Sequence, residues 1–148
     1  MHTHGLRLTP GQDLKLELQA FAQAQALEAG IILTALGSFT QASLRFAAAA
    51  DATVIEGPLE LISLSGTLSR HSMHLHGAIA DAQGRVYGGH IMPGCMVRTT
   101  AEIAIAALPH LRFDRQIDPQ TGYLELVVAP LEAPPTDDQT TGSSQPWS

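Results

Sequence analysis

From residue 31 to about residue 128, apolar and polar residues alternate in short runs cut by glycine and proline. A period of two places successive side chains on opposite faces of a strand, whereas a surface helix repeats about every 3.6 residues. The clearest run is Val97, Thr99, Ala101, Ile103 and Ile105, interleaved with Arg98, Thr100 and Glu102. Most of the chain must therefore fold as sheet. Strands are expected at residues 6–8, 31–33, 39–46, 59–68, 74–80, 86–92, about 97–105 and 123–128. Gly37-Ser38 marks the end of the second of these, Pro58 precedes the fourth and Pro93-Gly94 breaks the chain after the sixth. The alanine-rich stretch 47–53 reads as a helical turn or a loop, and the stretch from Pro109 to Thr121-Gly122 as irregular. The last strand then closes the sheet.

One helix is expected before this region. Thr9-Pro10-Gly11-Gln12 is turn chemistry, and Asp13 follows where a carboxylate favours a helix N-terminus. Leu14, Leu18, Phe21, Ala22 and Ala29 fall mostly on one helix face, and Gly30 is placed to end the helix in the left-handed conformation.

The 148 residues suit a single domain, and 45% hydrophobic against 15% charged composition suits a packed core. From Pro130 onward Pro, Thr, Asp, Gln, Ser and Gly dominate, too polar to offset the entropy of ordering. We expect a domain over residues 1–128 and a flexible tail over 129–148, with Trp147 a stray aromatic. Basic residues number 8 against 14 acidic ones, and Lys15 is the sole lysine, so no basic surface for nucleic acid is evident. A single cysteine, Cys95, excludes an intrachain disulfide. No apolar run reaches the roughly 18 residues of a membrane span, and Met1-His2-Thr3-His4-Gly5 lacks signal-peptide character, so a cytoplasmic protein is expected.

Chemistry concentrates in three histidines. His74 and His76, two apart on a strand, share a face. Asp81-Ala82-Gln83-Gly84 signals a hairpin turn. A three-residue loop Ala82-Gln83-Gly84, with Gly84 left-handed, sets Asp81 opposite Arg85. Counting outward, Ala80 faces Val86, Ala78 faces Gly88, and His76 faces His90. Three imidazoles then converge on one patch. A two-residue loop would move His90 to the opposite face. Three neutral imidazoles suit Zn²⁺ with one position open, or another divalent first-row metal. Gly77, Gly88 and Gly89 would leave space beside the ion. The plainer reading, three separate surface or barrel-lining histidines, stays open. His71 is a further ligand or supporting candidate, while His2, His4 and His110 read as surface residues. Cys95 reads as a buried structural thiol rather than a nucleophile or ligand. Glu56, Glu60, Arg98 and Glu102 are candidate polar partners or plain solvated charges; Glu60 and Arg98 are the foremost catalytic candidates. No HExxH, GxSxG, GxGxxG, Walker loop or CxxC occurs.

Leu59-Glu60-Leu61-Ile62-Ser63-Leu64-Ser65-Gly66, His74-Leu75-His76, and Gly88-Gly89-His90 before Pro93-Gly94-Cys95 occur in that order. With the opening Leu8-Thr9-Pro10-Gly11-Gln12-Asp13-Leu14 and the Gly37-Ser38 step, this resembles the plants and prokaryotes conserved (PPC) domain over about residues 4–128. The resemblance implies an α+β fold: a strongly bent, antiparallel-rich sheet with a flanking helix, assembled as a homotrimer. It implies a metal, commonly zinc, on His74, His76 and His90. At fold level it also implies a likeness to α-acetolactate decarboxylase, a zinc enzyme with three histidine ligands. Plant members carry AT-hooks for DNA; no Arg-Gly-Arg-Pro motif or basic arm occurs here. Three functions stay open. The first is a metal-dependent enzyme on a small carbonyl or carboxylate compound, with Glu60 or Glu56 as acid/base and Arg98 holding a carboxylate. The second is a trimeric interaction module. The third is a nucleic-acid binder, which acidity disfavours.

Overall fold

The structure, a computed structural model, describes residues 2–131. In chain order it contains β1 (His2–Leu8), α1 (Leu14–Ala24), β2 (Gly30–Arg45), β3 (Thr53–Leu68), β4 (Met73–Asp81), β5 (Val86–Ile91), β6 (Met96–Ala107), β7 (Leu111–Ile117) and β8 (Leu124–Pro130). The main sheet has the order β1-β6-β2-β3-β4-β5, every pairing is antiparallel, and β5 also returns to pair with β2. That return is possible because β2 and β3 are long and bent. Along one edge of β2 lie first β6 and then, at Leu44 and Arg45, β5. This is the bent antiparallel sheet with one helix that the sequence implied.

The core forms where the helix meets the sheet. Leu14, Leu18 and Ala22 of α1 pack in one cluster with Phe39, Leu44, Leu75, Ile79, Ile91 and Ile105. Spacings of four along the helix bring the first three to one face. Asp13 caps the helix, one carboxylate oxygen accepting from the Lys15 and Leu16 amides at 2.9 and 3.2 Å. Its other oxygen accepts from the Gly94 amide, and the Lys15 ammonium donates to the Ile91 carbonyl at 2.9 Å. The helix start is thus tied to the end of β5 and to the β5–β6 turn. Asp13→Ala should cost at least about 1 kcal/mol of stability, the usual worth of an N-cap, before the Gly94 contact is counted. A urea titration should show a lower midpoint with an unchanged slope.

Several expected boundaries move. The helix ends at Ala24, not at Gly30; Ala26 takes the left-handed conformation with φ 47°. Gly30 instead opens β2, where a Cβ would press on the Leu27 side chain at 2.8 Å. The strands expected at 31–33 and 39–46 are one strand, since Gly37 does not stop it. A Cβ at Gly37 would collide with the Thr100 carbonyl and the Ala101 backbone of β6, so close strand approach explains that glycine. Pro58 lies inside β3 rather than before it. Between the Phe39–Leu59 and Gln41–Glu56 pairs, β3 has one more residue than β2, a bulge where proline leaves no ladder bond unmade. Residues expected to be irregular form β7. Together with β8 it makes a separate two-stranded sheet, so β8 does not close the main one. Ala129 and Pro130, expected in the tail, belong to β8; residues 132–148, with Trp147, lie outside the described residues. No helix among the described residues is long and apolar enough to cross a membrane.

Candidate metal centre

Turn chemistry fixes the register that makes the site. The Gly84 amide donates to the Asp81 carbonyl, Gly84 has φ 77°, and the Asp81 amide donates to the Arg85 carbonyl, so the loop is Ala82-Gln83-Gly84. The Asp81 carboxylate also accepts from the Gln83 and Arg85 amides and from the Arg85 guanidinium, at 2.9, 3.0 and 2.7 Å. The pairs Ala80–Val86, Ala78–Gly88 and His76–His90 follow as counted from the loop. Across the neighbouring strands, Ser65 of β3 faces His76 and Arg45 of β2 faces His90. A row of four side chains therefore crosses the outer face of the sheet, with His74 beside it.

The three rings converge. One ring nitrogen from each of His74, His76 and His90 lies within 4.8 Å of the others, and the Nε2 atoms of His74 and His76 are 3.0 Å apart. Ring centroids are 4.8, 4.9 and 5.6 Å apart. Nitrogens about 2.0–2.1 Å from a shared tetrahedral ion would be about 3.3 Å apart, within this range. His90 Nδ1 is buried without a hydrogen-bond partner. Burial, then the charges of Lys15, His74 and Arg45, push the His90 imidazole down to about 4. Burial, then Arg115 and His76, lower His74 as well. The His90 ring is therefore neutral, the form that binds metal, well into the acid range, and His74 is shifted in the same direction.

The cluster opens into a cleft of about 1200 Å³. Its walls are the outer face of the sheet, the alanine loop after Arg45 and Phe46, and the second sheet, which brings Arg115, Tyr123, Leu124 and Glu125. A smaller pocket of about 310 Å³, beside His2 and His4, is mostly apolar and contains none of the clustered histidines. Of the flanking glycines only Gly88 has room for a Cβ, which would rest at an ordinary 3.5 Å from the Gly77 carbonyl. Gly77 turns to the core against Ile91, and Gly89 lets β5 approach the Arg45 carbonyl.

Other sequence candidates fall elsewhere. His71 is exposed and accepts a bond from Arg70 Nε at 3.1 Å, outside the cluster. Glu56, Glu60, Arg98 and Glu102 are exposed, and none of them lines the cleft. Glu60 pairs with Ala80, four residues along β4 from His76, or about 13 Å at a strand rise of about 3.3 Å. Arg98 lies on β6, which pairs with β1 and β2 and with neither strand of the hairpin. Cys95 is fully buried among Ser43 and Met92 backbone atoms, and burial pushes its thiol up to about 11. That is a structural thiol. The charged groups missed by sequence reasoning are Arg45, Arg115 and Glu125. Arg45 needed the β2–β5 closure to be known, and the other two needed the β7–β8 hairpin.

Residues 1–109 match the family model of the Plants and Prokaryotes Conserved (PCC) domain. The chain belongs to this family. A bifunctional protein GlmU from Synechococcus sp. (strain JA-3-3Ab) is 48% identical over 145 residues, which span 97% of this PCC-domain chain but 23% of that protein. The chain thus covers under a quarter of this relative's length. A hypothetical protein from Salmonella cholerae-suis shares 44% identity and a TM-score of 0.86, over 87% of this chain and 94% of its own. A metal-containing protein from Archaeoglobus fulgidus shares 27% identity and a TM-score of 0.73, over 86% of this chain and 94% of its own.

Proposed function

We propose that His74, His76 and His90 hold a divalent transition metal, zinc foremost, and that this cytoplasmic protein uses it as a metal-dependent enzyme on a small carbonyl or carboxylate compound. The observation that carries the reading is the convergence of three ring nitrogens within 4.8 Å at the floor of an open cleft. An all-imidazole donor set suits zinc and its first-row neighbours, and the unpartnered Nδ1 of His90 fits a ring without a competing bond. The metal-containing relative adds support. When bound, such an ion polarises a carbonyl or acidifies a water molecule. The chain's own residues do the rest. His90 resists protonation down to about 4 and His74 is shifted the same way, the alanine loop and Leu124 line the cleft, and Glu125 is the carboxylate within its wall. Glu125 takes the acid/base role first expected of Glu60, because Glu60 lies farther along the sheet.

A homotrimer belongs to the same reading. Leu126 and Val128 lie exposed on one face of β8, apolar surface that neighbouring copies would cover. A second reading, a non-catalytic trimeric interaction module, is favoured by one observation: the domain recurs as under a quarter of a larger bifunctional protein. Protein purified without a histidine tag should contain up to one metal ion per chain by elemental analysis and sediment as three chains. Metal-free protein that cannot be reloaded defeats the metal reading, while tight metal without turnover of any small carbonyl compound favours the module. Duplex DNA should not bind even at low salt.

A further inference from the structure

The geometry points to a carboxylate-binding subsite beside the histidines, formed by Arg45 of β2 and Arg115 of β7, and so to a small organic carboxylate as the cleft's ligand. This rests on the metal reading above and supplies its ligand class. Arg45 is the register partner of His90, which is the partner of His76, so these side chains stand in one row with Cβ neighbours about 4.5–5.5 Å apart. Arg115 reaches the other side of the trio from the second sheet. Its Nη2 donates to the Thr67 hydroxyl and its Nη1 to the Leu124 carbonyl, each at 3.3 Å. Thr67 is the register partner of His74. Two arginines thus flank the cluster from opposite elements.

Neither charge is matched among the described residues. Ion pairs among the described residues are Arg70–Glu28, Arg85–Asp81 and Arg112–Asp114. The partners of Arg115 are neutral, and Glu125 is bonded to the Thr121 hydroxyl at 3.0 Å. Two guanidinium groups against one carboxylate leave this cleft positive, on a chain whose net charge is −6. A bound divalent ion would make it more so. Such a local field draws anions, and a guanidinium fork matches the planar carboxylate. The alanine loop, Tyr123 and Leu124 add apolar wall, which suits an organic anion rather than a bare inorganic one. The hairpin carrying Arg115 follows the 109 residues that the family model matches, so half of the clamp lies outside that shared core.

Cobalt-loaded protein tests this, with pyruvate as the probe and the visible Co²⁺ absorption as readout. Pyruvate should perturb the spectrum saturably. Methyl pyruvate, which keeps the ketone and loses the charge, should need about tenfold higher concentration or more. Arg45→Gln and Arg115→Gln should each take up one Co²⁺ per chain yet weaken pyruvate about tenfold or more, the size of one charge-assisted hydrogen bond. Arg45 is exposed and its side chain makes no hydrogen bond among the described residues, so its variant decides the matter should Arg115→Gln disturb the hairpin. If both variants load cobalt and bind pyruvate as tightly as the parent, the subsite is wrong and the metal reading stands. The same holds if the ester matches the acid, or if inorganic phosphate binds tenfold tighter. A parent protein that takes up no cobalt overturns both.

Discussion

His90→Ala should weaken divalent-metal binding by at least about a hundredfold, beyond the roughly 10–100-fold that follows from losing only an outer-shell partner. The reason is the absence of a substitute ligand. His71 is engaged by Arg70, and Cys95 is sealed in the core with its thiol pushed up to about 11. Among the described residues no other histidine, cysteine or acid shares the cluster. The variant should fold, because His90 stands on the outer face while the neighbouring Ile91 carries the core contact. Competition against a chelating dye measures the loss, and His71→Ala serves as the silent control. Unchanged affinity in His90→Ala means that the ion sits elsewhere.

What could be read in the sequence was whatever short-range geometry decides. The His74–His76 parity needs only the strand period, and the His76–His90 pairing needs only the loop between Asp81 and Arg85, whose residues bond among themselves. Asp13 likewise caps a helix within three residues of itself. Failures came where a distant partner sets the local rule. Gly37 has the look of a stop, yet it is there because β6 passes too close for a Cβ. Pro58 has the look of a strand boundary, yet a bulge against β2 absorbs it. Leu111, Phe113, Arg115 and Ile117 do alternate with Arg112, Asp114 and Gln116, but only Phe113 among them is buried, so the contrast between faces is faint. Missing that strand hid Arg115 and Glu125, and missing the β2–β5 closure hid Arg45. The histidine trio was therefore legible and its surroundings were not: the trio is a product of one hairpin, the cleft of the whole topology.

The same surroundings predict how the metal-free protein responds to acid. Its stability should fall as pH drops from about 6.5 to about 4, with His90 the main contributor. In the unfolded chain His90 takes a proton near its ordinary value of 6.5, whereas in the folded chain it resists until about 4. Between those limits the unfolded state binds more protons, so lowering the pH favours unfolding; below about 4 both states are protonated and the effect levels off. Burial is the larger cause, followed by the charge of Lys15, which α1 anchors at the Ile91 carbonyl. His74 is lowered too and acts in the same direction. Asp81 is separable. Although desolvation opposes it, hydrogen bonds from Arg85 and Gln83 hold its carboxyl below the usual 3.8, so its contribution is lost only at still lower pH. Thermal melts of metal-free protein from pH 7 to 4 should show a falling midpoint, and His90→Asn should flatten the curve. Metal adds a second layer. An ion that binds only the folded state stabilises it, and protons compete for the same nitrogens. The gap between loaded and metal-free midpoints should therefore narrow on acidification, later than it would for histidines titrating at 6.5. A metal-free midpoint that stays level from pH 6.5 to 4 contradicts the burial of His90 among like charges. The neutral ligand set on which the metal reading stands would then lose its physical basis.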